Sequence, residues 1–314
     1  MRRRATIGLL ALVAWVVGTA FASVGPVVTA PAQAGVIVGQ AHADFAPSLT
    51  GSKPIVVLTI GSGARPGENV EHSLADSIHL IFLNPSTHKA SIVGVPRDSY
   101  VPIPGLGTNK INDAMVAGGP PLLIQTLESN FGVHIDYWAL TTFWGMDQMI
   151  NSIGGLDVNV PFAMKDSYSG ADFTKGRHHL SGPQVLAFSR DRHSLNSGDF
   201  GRSEDGGRVF LAALAQFKTK FAKDQGALFA WLAAGMKNME TTLKLPTLVD
   251  LAFTASHVAL KDAQNVVLPG GTGMVGSLSV VHIDTAKARA IIADAQKDGA
   301  ISKANMPPSP TAGQ

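Results

Sequence analysis

Three short apolar runs succeed one another between residues 54 and 96, and they limit what this chain can fold into more than any other feature. The first, IVVLTIGSG (residues 55–63), is rich in β-branched residues and ends in glycines. The second, SIHLIFLN (77–84), follows Asp76 and runs into the turn-forming Asn84-Pro85-Ser86-Thr87; the third, ASIVGVP (90–96), ends beside Arg97. β-Branched side chains have few χ1 choices and suit a pleated, buried surface. Runs of this length bounded by Gly, Pro and Asn are strands rather than helices. The first is predicted as a buried strand entering a tight loop, and 76–96 as a hairpin.

Downstream the pattern alternates between helix and strand. Lys110-Ile111-Asn112-Asp113 leads into a helix, Pro120-Pro121 opens the next, and Phe131-Gly132 ends it. Residues 134–140 are strand-like, 141–153 are helical up to Gly154-Gly155, and Leu156 to Pro161 alternates as a strand should. Residues 163–182 read as a polar excursion. An amphipathic helix is expected over 207–222, with further helices near 226–237 and 246–258. Strands near 265–268 and 277–283 and a helix over 285–297 complete the pattern. It predicts one α/β domain over 54–300 with a mixed central β-sheet. Residues 35–53, rich in Ala, Pro, Gly and Ser, are expected to be a flexible linker, and 301–314, Pro-rich from Pro307, a disordered tail.

Charge and cysteine content exclude several functions. The formal charge is +2, but three of the 25 basic residues are Arg2, Arg3 and Arg4, so residues 35–314 carry 22 basic against 23 acidic groups. No general basic field remains for nucleic acid, and phosphate chemistry has to be local. With no cysteine there is no thiol nucleophile, thiolate metal site or disulfide. The three arginines precede an uncharged run whose most apolar part is Ile7 to Val28. Roughly 20 apolar residues at about 1.5 Å each cross a bilayer core, and the arginines keep that end cytoplasmic. Residues 1–34 are therefore expected to be a single membrane anchor with the domain on the extracytoplasmic face. The alternative is a signal peptide cleaved near Ala34.

Candidate chemistry gathers in LAFSRDRHSLNSGDFGR (186–202). If that segment is extended, Arg190 and Arg192 point the same way and present two guanidinium forks, which suit phosphate oxygens better than lysine does. Arg97 ends a strand, Lys110 starts a helix, and Asp76 starts a strand where it could hold Mg²⁺ together with substrate phosphate oxygens. Each alone reads as an ordinary ion pair or cap; their shared position at element ends favours a composite phosphate site. Gly61-Ser62-Gly63 lacks the lysine and closing glycine of a P-loop. His178 and His179 read as surface residues, and His193 as a solvated loop histidine rather than an acid–base group.

The succession ADSIHLIFLNP, VGVPRDSYVPIPG, KINDAM, GGLDVNVP, LSGPQVLAFSRDRH and DFGRS resembles the LytR-CpsA-Psr family over about residues 54–220. The resemblance implies an outward-facing bacterial α/β/α domain behind one N-terminal membrane segment. Its implied activity is transfer of a glycopolymer from a polyprenyl-diphosphate carrier to peptidoglycan. It also implies an apolar channel for the polyprenyl tail beside an arginine-lined diphosphate site. By motif, Arg97, Arg190, Arg192 and Lys110 correspond to residues on the diphosphate, and Asp76 to the carboxylate associated with Mg²⁺. The chain departs from the family pattern at Gly63, where an aspartate is usual, at Leu74, where an arginine is usual, and at Gly206, often glutamine. These departures leave a second reading, a catalytically impaired homologue that binds lipid-linked polymer or peptidoglycan, and the same arginines with water as acceptor give a third, a polyprenyl-diphosphate pyrophosphatase.

Overall fold

The computed structural model describes residues 36–41, 51–195, 197–224, 226–237, 239–241 and 245–312. The anchor expected over 1–34 lies outside them, and among the described residues no helix is long and apolar enough to cross a membrane.

The apolar runs form β2 (Ile55–Ser62), β3 (Ala75–Asn84) and β4 (Lys89–Gly94), and β3 and β4 pair as the expected hairpin. They lie in a seven-stranded mixed sheet with β1 (Val36–Gln40), β7 (Tyr137–Thr142), β12 (Met239–Thr241) and β13 (Ala263–Val267), in the order β12-β1-β7-β2-β3-β4-β13. β2 runs antiparallel to β3 and parallel to β7. Side chains alternate across each strand. Val56, Leu58 and Ile60 of β2 and Ile78, Leu80 and Phe82 of β3 enter the main core. That core is completed by α1 (Asp113–Phe131) and α7 (Thr285–Asp298). On the opposite face the same strands present small or polar residues, Thr59, Gly61, Ser77 and His79. An all-apolar pattern would have sealed this face; the polar alternates leave room for a site.

The opposite face is covered by α4 (Asp199–Lys223), which packs on β3, β4 and β13. A second core lies between α2 (Phe143–Ser152), α3 (Gly182–Arg190), the start of α4 and the strand β8 (Leu156–Val160). The α1 span breaks at Gly118 and Gly119, where φ/ψ leave the helical region, and restarts at Pro120. This matches the two helices expected there, since proline is pre-set for a first turn and cannot continue a preceding helix.

Three expectations are corrected. Within the supposed linker, Val36 to Gln40 pairs with β7, because the β-branched triplet Val36-Ile37-Val38 outweighs its Ala- and Gly-rich surroundings. The polar excursion contains β9 (Met164–Asp166), β10 (Ala171–Phe173) and β11 (Gly176–Leu180). Met164, Ala171 and Phe173 enter the second core. Their alternation was diluted by the charged residues between them. Finally, the C-terminal tail packs: Ile301 and Thr311 are buried, and Ser309 and Thr311 hydrogen-bond to the buried Glu204.

Candidate active site

A cavity of about 420 Å³ opens between the polar alternates of β2, β3 and β7 and the helices α2, α3 and α4. One side is apolar, built from Phe143, Met146 and Met149 of α2, Leu186 of α3, and Val209 and Phe210 of α4. The other carries charge, from Asp76, Arg97, Arg190, Arg192 and Arg202. An amphiphile with a long apolar tail and an anionic head fits both halves.

Arg97 follows β4 through Val95-Pro96 and is held by a turn in which the Ser99 amide donates to the Pro96 carbonyl at 3.1 Å. Its Nη1 donates to Asp76 Oδ1, and its Nε lies 4.0 Å from Asp199 Oδ1. Among the described residues the buried Nε–H has no hydrogen-bond partner, which leaves a donor for an acceptor from a ligand. Asp199 opens α4 and accepts from Arg202 Nη2 at 2.6 Å. Burial is the main reason the Arg202 guanidinium is pushed below its usual range; Asp199 opposes this, while Arg97 and Arg192 add repulsion. Arg97, Arg192 and Arg202 all line the same cavity.

Arg190 and Arg192 converge by a different route from the one the sequence implied. Arg190 is the last residue of α3, a helix opened by Ser181, whose amide donates to Gln184 Oε1 at 2.9 Å. The chain leaves helical geometry at Asp191 (φ −56°, ψ 134°), and Arg192 is fixed by its own amide donating to Asp166 Oδ2 at 3.2 Å. The Arg190 guanidinium lies over the Phe143 ring, 4.5 Å from its centre. Among the described residues neither Arg190 nor Arg192 has an ion-pair partner for its side chain. Two exposed, unneutralised forks beside a buried arginine network make an anion site.

Lys110 is not on the cavity wall. Its Nζ pairs with Asp98 Oδ1 at 3.1 Å, and the Asp98 amide reaches Asp199 Oδ2 at 3.5 Å, so Lys110 supports the site from behind. Asp76 keeps Oδ2 without a protein donor among the described residues. A Cβ at Gly63 would sit 2.6 Å from that oxygen, so the Asp76 carboxylate occupies the space a side chain at 63 would take. Leu74 is 42% exposed and does not line the cavity.

Sequence reasoning missed Arg202 although it lay in the same stretch, and missed His79 entirely. His79 is buried on the cavity floor, with Nε2 2.8 Å from the Ser203 carbonyl and Nδ1 3.1 Å from Ser77 Oγ. A carbonyl only accepts, so Nε2 carries the proton and Nδ1 accepts from the serine. A Cβ at Gly206 would lie 2.7 Å from His79 Cε1, so the departure at 206 makes room for this ring. Burial lowers the His79 pKa to about 4, the largest influence, while the Ser203 carbonyl works the other way. A histidine depressed in the folded state stabilises fully above its unfolded value near 6.5 and loses that contribution as pH falls towards 4. Relative to His79→Gln, the unsubstituted chain should therefore lose roughly 3 kcal/mol of stability between pH 7 and pH 4. Urea melts of both at the two pH values test this; a pH-independent difference would contradict a buried neutral His79.

His193 is an exposed loop residue as expected, but it also lines the cavity, with Nδ1 2.9 Å from Asp166 Oδ1. His178 and His179 are on the surface as expected, His179 bonded to Asp157 at 2.8 Å.

The LytR_cpsA_psr family signature matches residues 31–297. The polyisoprenyl-teichoic acid–peptidoglycan teichoic acid transferase TagU of Bacillus mycoides is 31% identical over 230 residues, 71% of this chain and 71% of its own. The crystal structure of TagV from B. subtilis shares the fold with a TM-score of 0.65 at 26% identity, over 80% of this chain and 99% of that one. A LytR-CPS2A-psr family protein, YwtF (TagT), solved with bound octaprenyl pyrophosphate lipid, has a TM-score of 0.60 at 20% identity. That likeness covers 82% of this chain and 94% of that one and reflects the fold.

Proposed function

The chain belongs to the LytR-CpsA-Psr family, and from that premise we propose that it transfers a glycopolymer from a polyprenyl-diphosphate carrier to peptidoglycan. The observation that carries the reading is the two-sided cavity, apolar along α2 and α4 and lined also by Arg190 and Arg192, which have no ion-pair partner among the described residues. The polyprenyl chain lies along Phe143, Met146 and Met149. The diphosphate lies among Arg97, Arg190, Arg192 and Arg202, with the buried Arg97 Nε–H as one donor. When an acceptor hydroxyl attacks the sugar-linked phosphorus, negative charge gathers on the departing polyprenyl phosphate, and the fixed guanidinium groups stabilise it without reorganisation. TagU is named for teichoic acid transfer, which supports an anionic cargo. Such a carrier lies in a membrane, so the reading places the domain on its outer side, tethered through residues 1–34.

Mg²⁺ is part of the proposal. No group of three acidic or histidine side chains among the described residues could hold a metal alone. Asp76 Oδ2 nevertheless provides one carboxylate oxygen beside the arginines, and Mg²⁺ needs only one or two carboxylates when phosphate oxygens complete its shell. Bound there, it would neutralise diphosphate charge.

The test is release of polyprenyl phosphate from a lipid-diphosphate-linked oligosaccharide, with and without peptidoglycan. Release coupled to glycan attachment supports transfer. Release independent of acceptor would identify a pyrophosphatase, and binding without release an impaired homologue. EDTA is expected to reduce transfer at least tenfold and Mg²⁺ to restore it; an EDTA-insensitive rate would remove the metal from the scheme.

A further inference from the structure

The loop after α3 and the β9–β10 hairpin bring together a carboxylate, an imidazole and an aromatic ring beside the diphosphate site. Asp166 is 2% exposed, at the end of β9. It accepts from the Tyr168 amide at 2.8 Å, the Arg192 amide at 3.2 Å and His193 Nδ1 at 2.9 Å. Burial by itself would raise the Asp166 pKa, but the hydrogen bonds from His193 and from the two amides prevail and hold it well below the usual carboxylate range. An ionised, fully anchored carboxylate fixes the tautomer: Nδ1 carries the proton and Nε2 is left as a lone pair. Tyr168 stacks on the imidazole at 4.6 Å and 27° and restricts its rotation. The His193 side chain is 57% exposed, Nε2 has no protein partner among the described residues, and Asp166, Tyr168, Arg192 and His193 all line the cavity.

A buried carboxylate orienting a cavity-lining imidazole whose second nitrogen is left free among the described residues is the arrangement of a general base. We propose that His193 deprotonates the acceptor hydroxyl, with Asp166 as its positioning residue; this rests on the transfer reading above. The hydroxyl O–H bond breaks and its proton moves to Nε2. The oxygen forms a bond to the sugar-linked phosphorus, and the bond from that phosphorus to the bridging oxygen breaks. Polyprenyl phosphate leaves with that electron pair, and His193 returns the proton to solvent. The diphosphate binds through the arginines, so loss of the base should leave carrier affinity intact.

The experiment compares the full chain with His193→Gln and His193→Ala, measuring carrier binding and transfer to peptidoglycan. Glutamine can still donate to Asp166 but cannot accept a proton at neutral pH, so a merely structural role would survive it. Both variants are expected to bind the carrier within about threefold of the unsubstituted chain and to transfer roughly 10²- to 10⁴-fold more slowly. Added imidazole should restore His193→Ala. Transfer by His193→Gln at the unsubstituted rate, or a slow His193→Ala that imidazole does not restore, overturns the assignment. If the unsubstituted chain itself transfers nothing, the transfer reading falls and this inference falls with it.

Discussion

Replacing Arg190 with alanine should weaken binding of a lipid-diphosphate-linked oligosaccharide roughly 10- to 100-fold while leaving thermal stability almost unchanged. The magnitude is that of one lost charge-assisted contact, about 1.5–3 kcal/mol. Stability should hold because Arg190 has no ion-pair partner among the described residues and touches the fold chiefly through the Phe143 ring; exposed substitutions of this kind usually stay within about 0.5 kcal/mol. Arg97→Ala should behave differently. Arg97 is largely buried and bonded to Asp76, with Asp199 close by, so its removal leaves the Asp76 carboxylate without its ion-pair partner and Asp199 with Arg202 alone among the described residues. It should lose carrier binding and also roughly 2–4 kcal/mol of stability, the lower part of the range reflecting partial solvent access. Calorimetric titration and thermal melts of the two variants separate recognition from folding. A folded Arg190→Ala that binds the carrier normally would remove this arginine from the site.

These contrasts depend on burial and pairing that the sequence does not display. Strand identity was legible because Val, Ile and Leu cluster in runs of strand length between turn residues, and the hairpin 76–96 followed directly. The function of the alternate positions was not. Thr59, Ser77 and His79 are ordinary interruptions in the sequence, and only pairing with β7 and coverage by α4 make them a cavity floor. The arginine cluster was legible as a cluster because 186–202 is so rich in charge. Its geometry is not that of one extended strand: Arg190 ends a helix, and the chain leaves helical geometry only at Asp191. Lys110 matched by position in a motif but spends its charge on Asp98. The partner of His193 is not legible in the sequence, since Asp166 lies 27 residues away on a strand whose apolar alternation is hidden among charged neighbours.

Deleting residues 307–314 should destabilise the domain by roughly 3–5 kcal/mol, although composition marks them as a tail with nothing to pack. Glu204 is buried in the second turn of α4. It accepts from Ser309 Oγ at 2.5 Å, from Thr311 Oγ1 at 2.6 Å and from the Thr311 amide at 3.2 Å. Arg208 Nη2 lies 3.2 Å from the same carboxylate and donates to Thr311 Oγ1 at 2.8 Å. Without the tail, among the described residues only Arg208 remains to Glu204, and Arg208 is already shared with Asp205. Burial raises the Asp205 pKa to about 7 despite that contact, so the pocket tolerates little additional unpaired charge. Glu204→Gln should therefore destabilise the full chain but partly rescue the truncated one, since a neutral amide needs fewer donors when the tail is gone. Thermal melts of the four chains measure this coupling, and a truncated chain that melts with the full one would refute it. The same turns of α4 carry Arg202 and the Ser203 carbonyl that holds His79. Loosening them should also weaken carrier binding, so the tail acts on the cavity floor without touching its contents.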